Sequence, residues 1–148
     1  MADTRVQLEV EDWVRREWMA QRFGQQFFRE RVKLSPGGVC DFDAVSADRK
    51  IVAAISTSGA LTAGGKQGVG KMLKIRSDMY FLLLAAADRR LVVLTESDMH
   101  ERCVKEATIG RVPSSIEFVC AKIPVELEAR LRVSRGAASD EVFPRRDR

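Results

Sequence analysis

Apolar positions recur at helical intervals in the first part of the chain. Over residues 11–31, Trp13, Val14, Trp18, Phe23 and Phe27 fall near one face with charged residues between them, which predicts an amphipathic helix weakened locally at Gly24. The period then changes. Residues 31–34 suit a short strand, Ser35-Pro36-Gly37-Gly38 a turn, and residues 39–46 and 50–57 two strands joined by the tight connection Ala47-Asp48-Arg49. After a loop of small residues, 58–65, Val69, Met72, Leu73, Ile75, Met79, Leu82, Leu83 and Ala86 return to helical spacing. Leu91-Val92-Val93-Leu94-Thr95 is a continuous apolar run of the kind that fills a sheet interior. Residues 97–106 read as a helix capped by Ser97, residues 115–120 as a fifth strand, and Pro124 suits the first turn of a helix ending near Arg132.

The resulting order is α-β-β-β-α-β-α-β-α. Strands joined by short turns must run antiparallel, whereas a strand that follows a long helix can return parallel, so an α/β (α+β) mixed sheet flanked by helices is expected. Residues 1–133 read as a single domain, and residues 134–148, nearly free of large apolar side chains, as a mobile tail. With 148 residues, 45% of them hydrophobic and 31% charged, the chain has the balance of a globular protein that needs no disulfide to fold.

The longest apolar run, residues 79–87, is too short to span a bilayer, and the polar start lacks the apolar core of a secretory signal. A cytoplasmic protein without a membrane partner is therefore expected. Cys40, Cys103 and Cys120 are widely separated and odd in number, so they read as free thiols, and with His100 as the lone histidine a zinc site lacks ligands. A net charge of +4 and a pI near 9.2 are compatible with a polyanionic partner without requiring one.

Candidate chemistry concentrates in the hairpin of residues 39–57. In a regular strand Asp41 and Asp43 point to the same face, and in the next strand Val52, Ala54 and Ser56 share one face while Ile51, Ala53 and Ile55 share the other. Together with the element order, Phe42-Asp43-Ala44-Val45-Ser46-Ala47-Asp48-Arg49-Lys50-Ile51-Val52 resembles the strand-two aspartate and turn of the PD-(D/E)XK nuclease superfamily, the restriction-endonuclease-like fold. The resemblance covers about residues 11–108. It implies a core of helix, three-strand meander, helix and strand, in which a strand-two aspartate and an acid-x-lysine of strand three hold a divalent cation and activate water. Under it Asp43 is the nearer equivalent of the catalytic, metal-binding carboxylate and Asp41 the alternative. Ala54 then stands where the acid should be and Ser56 where the lysine should be. A methyl group cannot bind a cation and a hydroxyl carries no positive charge, so the implied site is degenerate and takes no cofactor; Mg2+ belongs only to the alternative of an active nuclease.

That alternative needs relocated groups. Gln67, Lys71, Lys74 and Asp78 are spaced four, three and four apart and form one polar face of the long helix. Lys71, as the relocated catalytic lysine, or Lys74 can replace the missing cation, and Glu17 on the first helix can supply an acid. Residues 65–72 also carry the GxxxxGK spacing of a phosphate loop, with Met72 where a magnesium-ligating hydroxyl belongs. Lys66, Lys71, Lys74 and Arg76 make up the expected phosphate-binding face for DNA or RNA. Three functions are therefore in view: a nuclease-fold protein with a degenerate site that binds nucleic acid or a protein partner, an active divalent-cation-dependent nuclease, and a structural subunit forming a homodimer through its sheet edge or an apolar helix.

Overall fold

The computed structural model describes residues 4–61, 65 and 68–142, with side chains as far as residue 135. Helical structure begins at Thr4, ahead of the expected start, because Val6 and Val10 already bury the face that Val14 and Met19 continue. Helix α1 (Thr4–Trp13), a π-helical segment (Val14–Trp18) and α2 (Met19–Phe23) follow without a break. Gly24 ends the run in a left-handed conformation, φ 70°, with its N–H on the Ala20 carbonyl at 2.9 Å, a conformation open to a residue without a Cβ. The chain is therefore extended from Phe27 and not from residue 31. Phe27 mimics a helical position because its ring meets that of Phe23 at 5.7 Å across the turn.

Strands β1 (Phe27–Lys33), β2 (Val39–Ser46) and β3 (Ile51–Ser56) form an antiparallel meander. Helix α3 (Val69–Leu84) leads to β4 (Arg89–Leu94), and α4 (Ser97–Thr108) to β5 (Ile116–Cys120), both strands returning parallel to their predecessors. Helix α5 (Val125–Val142) runs well past the end expected at Arg132, with Leu131 and Ser134 buried; of the expected tail, residues 143–148 lie outside the described residues. The sheet is mixed and open, in the order β1-β2-β3-β4-β5.

The two parallel crossovers place α3 and α4 on the same face, as right-handed connections advancing in one direction must. Met72, Ile75, Met79 and Leu82 of α3 and Met99 and Cys103 of α4 share a core with Val45, Val52, Ala54, Val92 and Leu94. On the opposite face Val6, Val10, Val14, Met19 and Leu131 cover Ala44, Ile51, Ala53, Ile55, Leu91 and Val93. Burial on both faces explains why β3 and β4 are apolar almost throughout. Arg90 closes the end of α3 by donating to the carbonyls of Leu82 and Ala85 at 2.9 and 2.8 Å. Ser97 is the first residue of α4 and not its cap; Glu96 holds the cap position without a side-chain bond. Among the described residues no helix is long and apolar enough to cross a membrane.

One irregularity in the meander positions everything that follows. Phe28 pairs with Val45 and Glu30 with Phe42, so between these pairs β2 advances one residue more than β1, and Asp43 and Ala44 together face Arg29. This bulge breaks the alternation: Phe42 belongs to the core under α3, Ala44 to the core under α1, and the far end of the hairpin curls over α3. Beyond the bulge, Leu34 and Ser35 bond the backbone at Leu84 and Ala85.

Candidate functional site around Asp43

Asp43 lies at the bend. Strand β2 pairs with β3 at Ala44–Ala53 and Val45–Val52, and next to these pairs the Ile55 N–H donates to Asp43 Oδ2 at 2.8 Å. The carboxylate thus takes the place of a strand carbonyl. On the other side of the same residue, Arg15 of the π-helical segment donates to the Asp43 carbonyl at 2.9 Å and to Asp12 at 3.3 Å. Extra residues in a helix and in a strand therefore meet at one point, and both kinds of irregularity are over-represented at functional sites.

The charges around Asp43 come from α1, the π-helical segment, β1 and α3. Burial lifts the Glu11 carboxyl of α1 above its ordinary value, and the negative charge of Asp43 adds to the effect against Arg29, Arg15 and Lys74. Burial likewise raises Asp78 of α3, which accepts a hydrogen bond from Lys74 at 3.0 Å, with Asp43 again adding to the rise. For Lys74 burial acts to lower the value, but the bond to Asp78 and the charges of Asp78, Asp43 and Glu11 outweigh it, so the ammonium is held above its usual range. Glu11, Asp43, Asp78 and Lys74 share one electrostatic field across the sheet.

Asp41 takes no part in that contact. Its side chain is about half exposed and pairs with Arg31 across the hairpin at 3.1 Å, so the two aspartates expected on a common face are engaged by different strands. Ala54 is 5% exposed within the core that contains Met72 and Ile75, and the faces of β3 alternate as expected. The Ser56 hydroxyl accepts from the Ser58 N–H at 3.4 Å.

Lys71 points elsewhere. Its ammonium donates to the Leu61 carbonyl at 2.9 Å, and burial followed by the charge of Arg135 lowers its pKa against Asp98 and Glu96. The absence of a Cβ at Gly68 lets the Lys71 stem and the Ala60 carbonyl close in on the start of α3, where a Cβ would sit 2.9 and 3.1 Å from them. Arg76 pairs with Glu106 of α4 at 3.6 Å. Lys66 and Gln67 lie outside the described residues. Of the expected phosphate-binding face, Lys71, Lys74 and Arg76 therefore each already have a partner within the chain.

Glu11 is the member of the cluster that the pattern along the chain did not bring out; Glu17 is exposed and lies beside Arg15 and Arg16 on the wall of a groove. The available signal was the position of Glu11 next to Val10, one turn before Arg15, at the border of the apolar face. Among the described residues no three carboxylate, thiol or imidazole groups are placed to hold a metal ion. No protein-family model, curated protein or solved structure matches this chain.

Proposed function

We propose that this chain has a restriction-endonuclease-like fold with a degenerate catalytic site, and that it binds nucleic acid. The succession of helix, three-strand meander, helix and strand in a mixed sheet is the core that the resemblance implies. The observation that carries the reading is the pair Asp43 and Ala54. An aspartate remains in strand two where it parts from strand three, while the position for the acid of strand three is a methyl group enclosed in the core. Asp43 then serves the fold, bonding the Ile55 N–H, and the contact to nucleic acid falls to cationic side chains around it.

One observation favours a second reading, an active nuclease whose partner groups have moved to α1 and α3. Glu11, Asp78 and Lys74 all feel the charge of Asp43, which adds to the burial that raises the Glu11 and Asp78 carboxyls.

Two assays separate these. Titration calorimetry with Mg2+ and Mn2+, paired with plasmid and RNA cleavage, should show no metal-dependent cutting; cutting that is lost in Asp43→Ala overturns the degenerate site. Fluorescence anisotropy with labelled DNA and RNA should show binding that weakens as salt rises. No binding to either at low salt overturns the nucleic-acid reading and favours a structural subunit.

A further inference from the structure

The open sheet has two edges, and they are built differently. Strand β1 carries Arg29, Glu30, Arg31 and Lys33 along its length and lies against the bulge at Asp43, two devices that keep an edge from pairing. Strand β5, Ile116-Glu117-Phe118-Val119-Cys120, pairs with β4 in unbroken parallel register and has neither a proline nor a bulge. Its one charge, Glu117, is held by two hydrogen bonds from Arg89 at 3.0 and 2.9 Å. The Ala121 N–H donates to the Leu94 carbonyl at 2.8 Å. By alternation the N–H and C=O groups of Glu117 and Val119 face β4, and those of Phe118 and Cys120 face outward, where no described strand lies.

A groove of about 430 Å³ lies on this edge, with Phe118, Val119 and Cys120 as its floor. Its walls belong to the two faces of the sheet. Trp18 and Arg22 stand on the α1 side, while His100 of α4 and Lys122, which alternates with the inward Ala121 and Ile123, stand on the other. A strand laid on the edge points its side chains to both faces in turn and so meets both walls. Arg22 and Lys122 are exposed and, among the described residues, have no ion pair; the Arg22 guanidinium lies 6.0 Å from the centre of the Trp18 ring. No carboxylate lines the groove. Burial, then the charge of Glu96, raises the Cys120 thiol above its usual value and keeps it neutral, and Glu96 itself is paired with Arg135.

We propose that β5 is a docking edge for an extended acidic segment of a partner protein, which adds to the sheet as a sixth strand. The outward groups of Phe118 and Cys120 supply the backbone bonds, and Arg22 and Lys122 each receive an acidic side chain from opposite faces of the incoming strand. A second copy of this chain fits less well, because it brings the same two cations to the edge and its own β5 carboxylate is already held by Arg89. A nucleic acid would use the cations but has nothing to match alternating N–H and C=O groups along a strand. The proposal is independent of the nucleic-acid reading above.

The test is fluorescence anisotropy of the full chain with a labelled peptide of about eight residues, the length of an ordinary strand, built from valine and threonine with glutamates at odd spacing so that one points to each face. Two counterparts accompany it, one with lysine for glutamate and one N-methylated at two adjacent residues, which blocks both of its edges. The acidic peptide should bind, and the other two should bind at least about tenfold more weakly. Cys120→Pro removes an outward N–H and leaves the β4 ladder intact, so it should stay folded by circular dichroism and weaken the acidic peptide about tenfold, whereas Cys120→Ser should retain it. Should Cys120→Pro fail to fold, the N-methylated peptide tests the same bonds on the unaltered chain. Arg22→Glu and Lys122→Glu should each weaken the acidic peptide and strengthen the lysine one. Hydrogen exchange should show the Phe118 and Cys120 amides protected when the acidic peptide is bound. Equal binding of the N-methylated peptide, equal binding of the lysine peptide, no binding of the acidic peptide, or no added protection at Phe118 and Cys120 overturns the docking edge. A dimer in sedimentation that Cys120→Pro dissociates assigns the edge to a second copy and overturns the foreign strand. Oligo-dT that displaces the peptide as readily as unlabelled peptide does assigns the edge to nucleic acid and overturns it too.

Discussion

Asp43 links two strands through one carboxylate oxygen, and its substitutions should report that bond directly. Asp43→Ala leaves the part-buried Ile55 N–H without its acceptor, a loss of about 1–3 kcal/mol that urea unfolding should register. Asp43→Asn keeps an amide oxygen for the same N–H and should lose less than half as much. Glu11 behaves in the opposite sense. Its carboxyl is raised above the ordinary 4.5, so the folded state holds a proton more readily than the unfolded chain does. Stability is therefore penalised above the folded pKa, recovers as pH falls through it, and carries no penalty below the unfolded value. Glu11→Gln should raise the melting temperature at pH 7 by a few degrees at most, with the gain shrinking to nothing as the buffer is taken below pH 4.5. A gain that persists unchanged at acid pH would show that repacking, and not charge, is responsible.

At the scale of elements, α5 is joined to the ends of the central strands. Arg135 donates to the Thr57 carbonyl and pairs with Glu96 at 2.6 Å, and its side chain is 28% exposed against 16% for Glu96. Arg130, one turn earlier, forms a two-bonded pair with Glu9 of α1 at 2.7 and 3.0 Å in a more exposed setting. Burial decides which pair matters more. Arg135→Ala leaves a largely enclosed Glu96 without its partner and should destabilise by about 1–3 kcal/mol, while Arg130→Ala should stay under about 1 kcal/mol. Denaturant titration of both variants checks the ranking, and equal losses would contradict it. The same contact brings Arg135 to Lys71, so its removal should raise the Lys71 pKa, readable from the lysine side-chain resonances.

For the whole molecule, stability should be greatest where both faces of the sheet are covered. Strands β3 and β4 have helices above and below and almost no exposed residue, while β1 is an edge whose side chains are mostly open to solvent. Amide hydrogen exchange should therefore be slowest in β3 and β4, approaching the global unfolding limit there, and faster by at least tenfold along the free side of β1. Uniform protection across the sheet would mean that the β1 edge is covered by a partner, the homodimer case.

The pattern of apolar residues by itself determined the succession of helices and strands and the two faces of β3, where Val52 and Ala54 pack under α3 while Ile51, Ala53 and Ile55 pack under α1. Such periodicity is a local property: each residue's face follows from its neighbours in the chain. It could not show the bulge, because an extra residue in β2 is defined only against β1, and so it put Asp41 beside Asp43 when Asp41 pairs with Arg31. Nor could helix spacing choose between lysines one turn apart. Tertiary structure turned Lys71 toward Leu61 and Lys74 toward Asp78, and brought Glu11 from the opposite layer into the field of Asp43. Electrostatic neighbours are set by distance through space, and only the packing of α1 and α3 on the two faces of the sheet decides that distance.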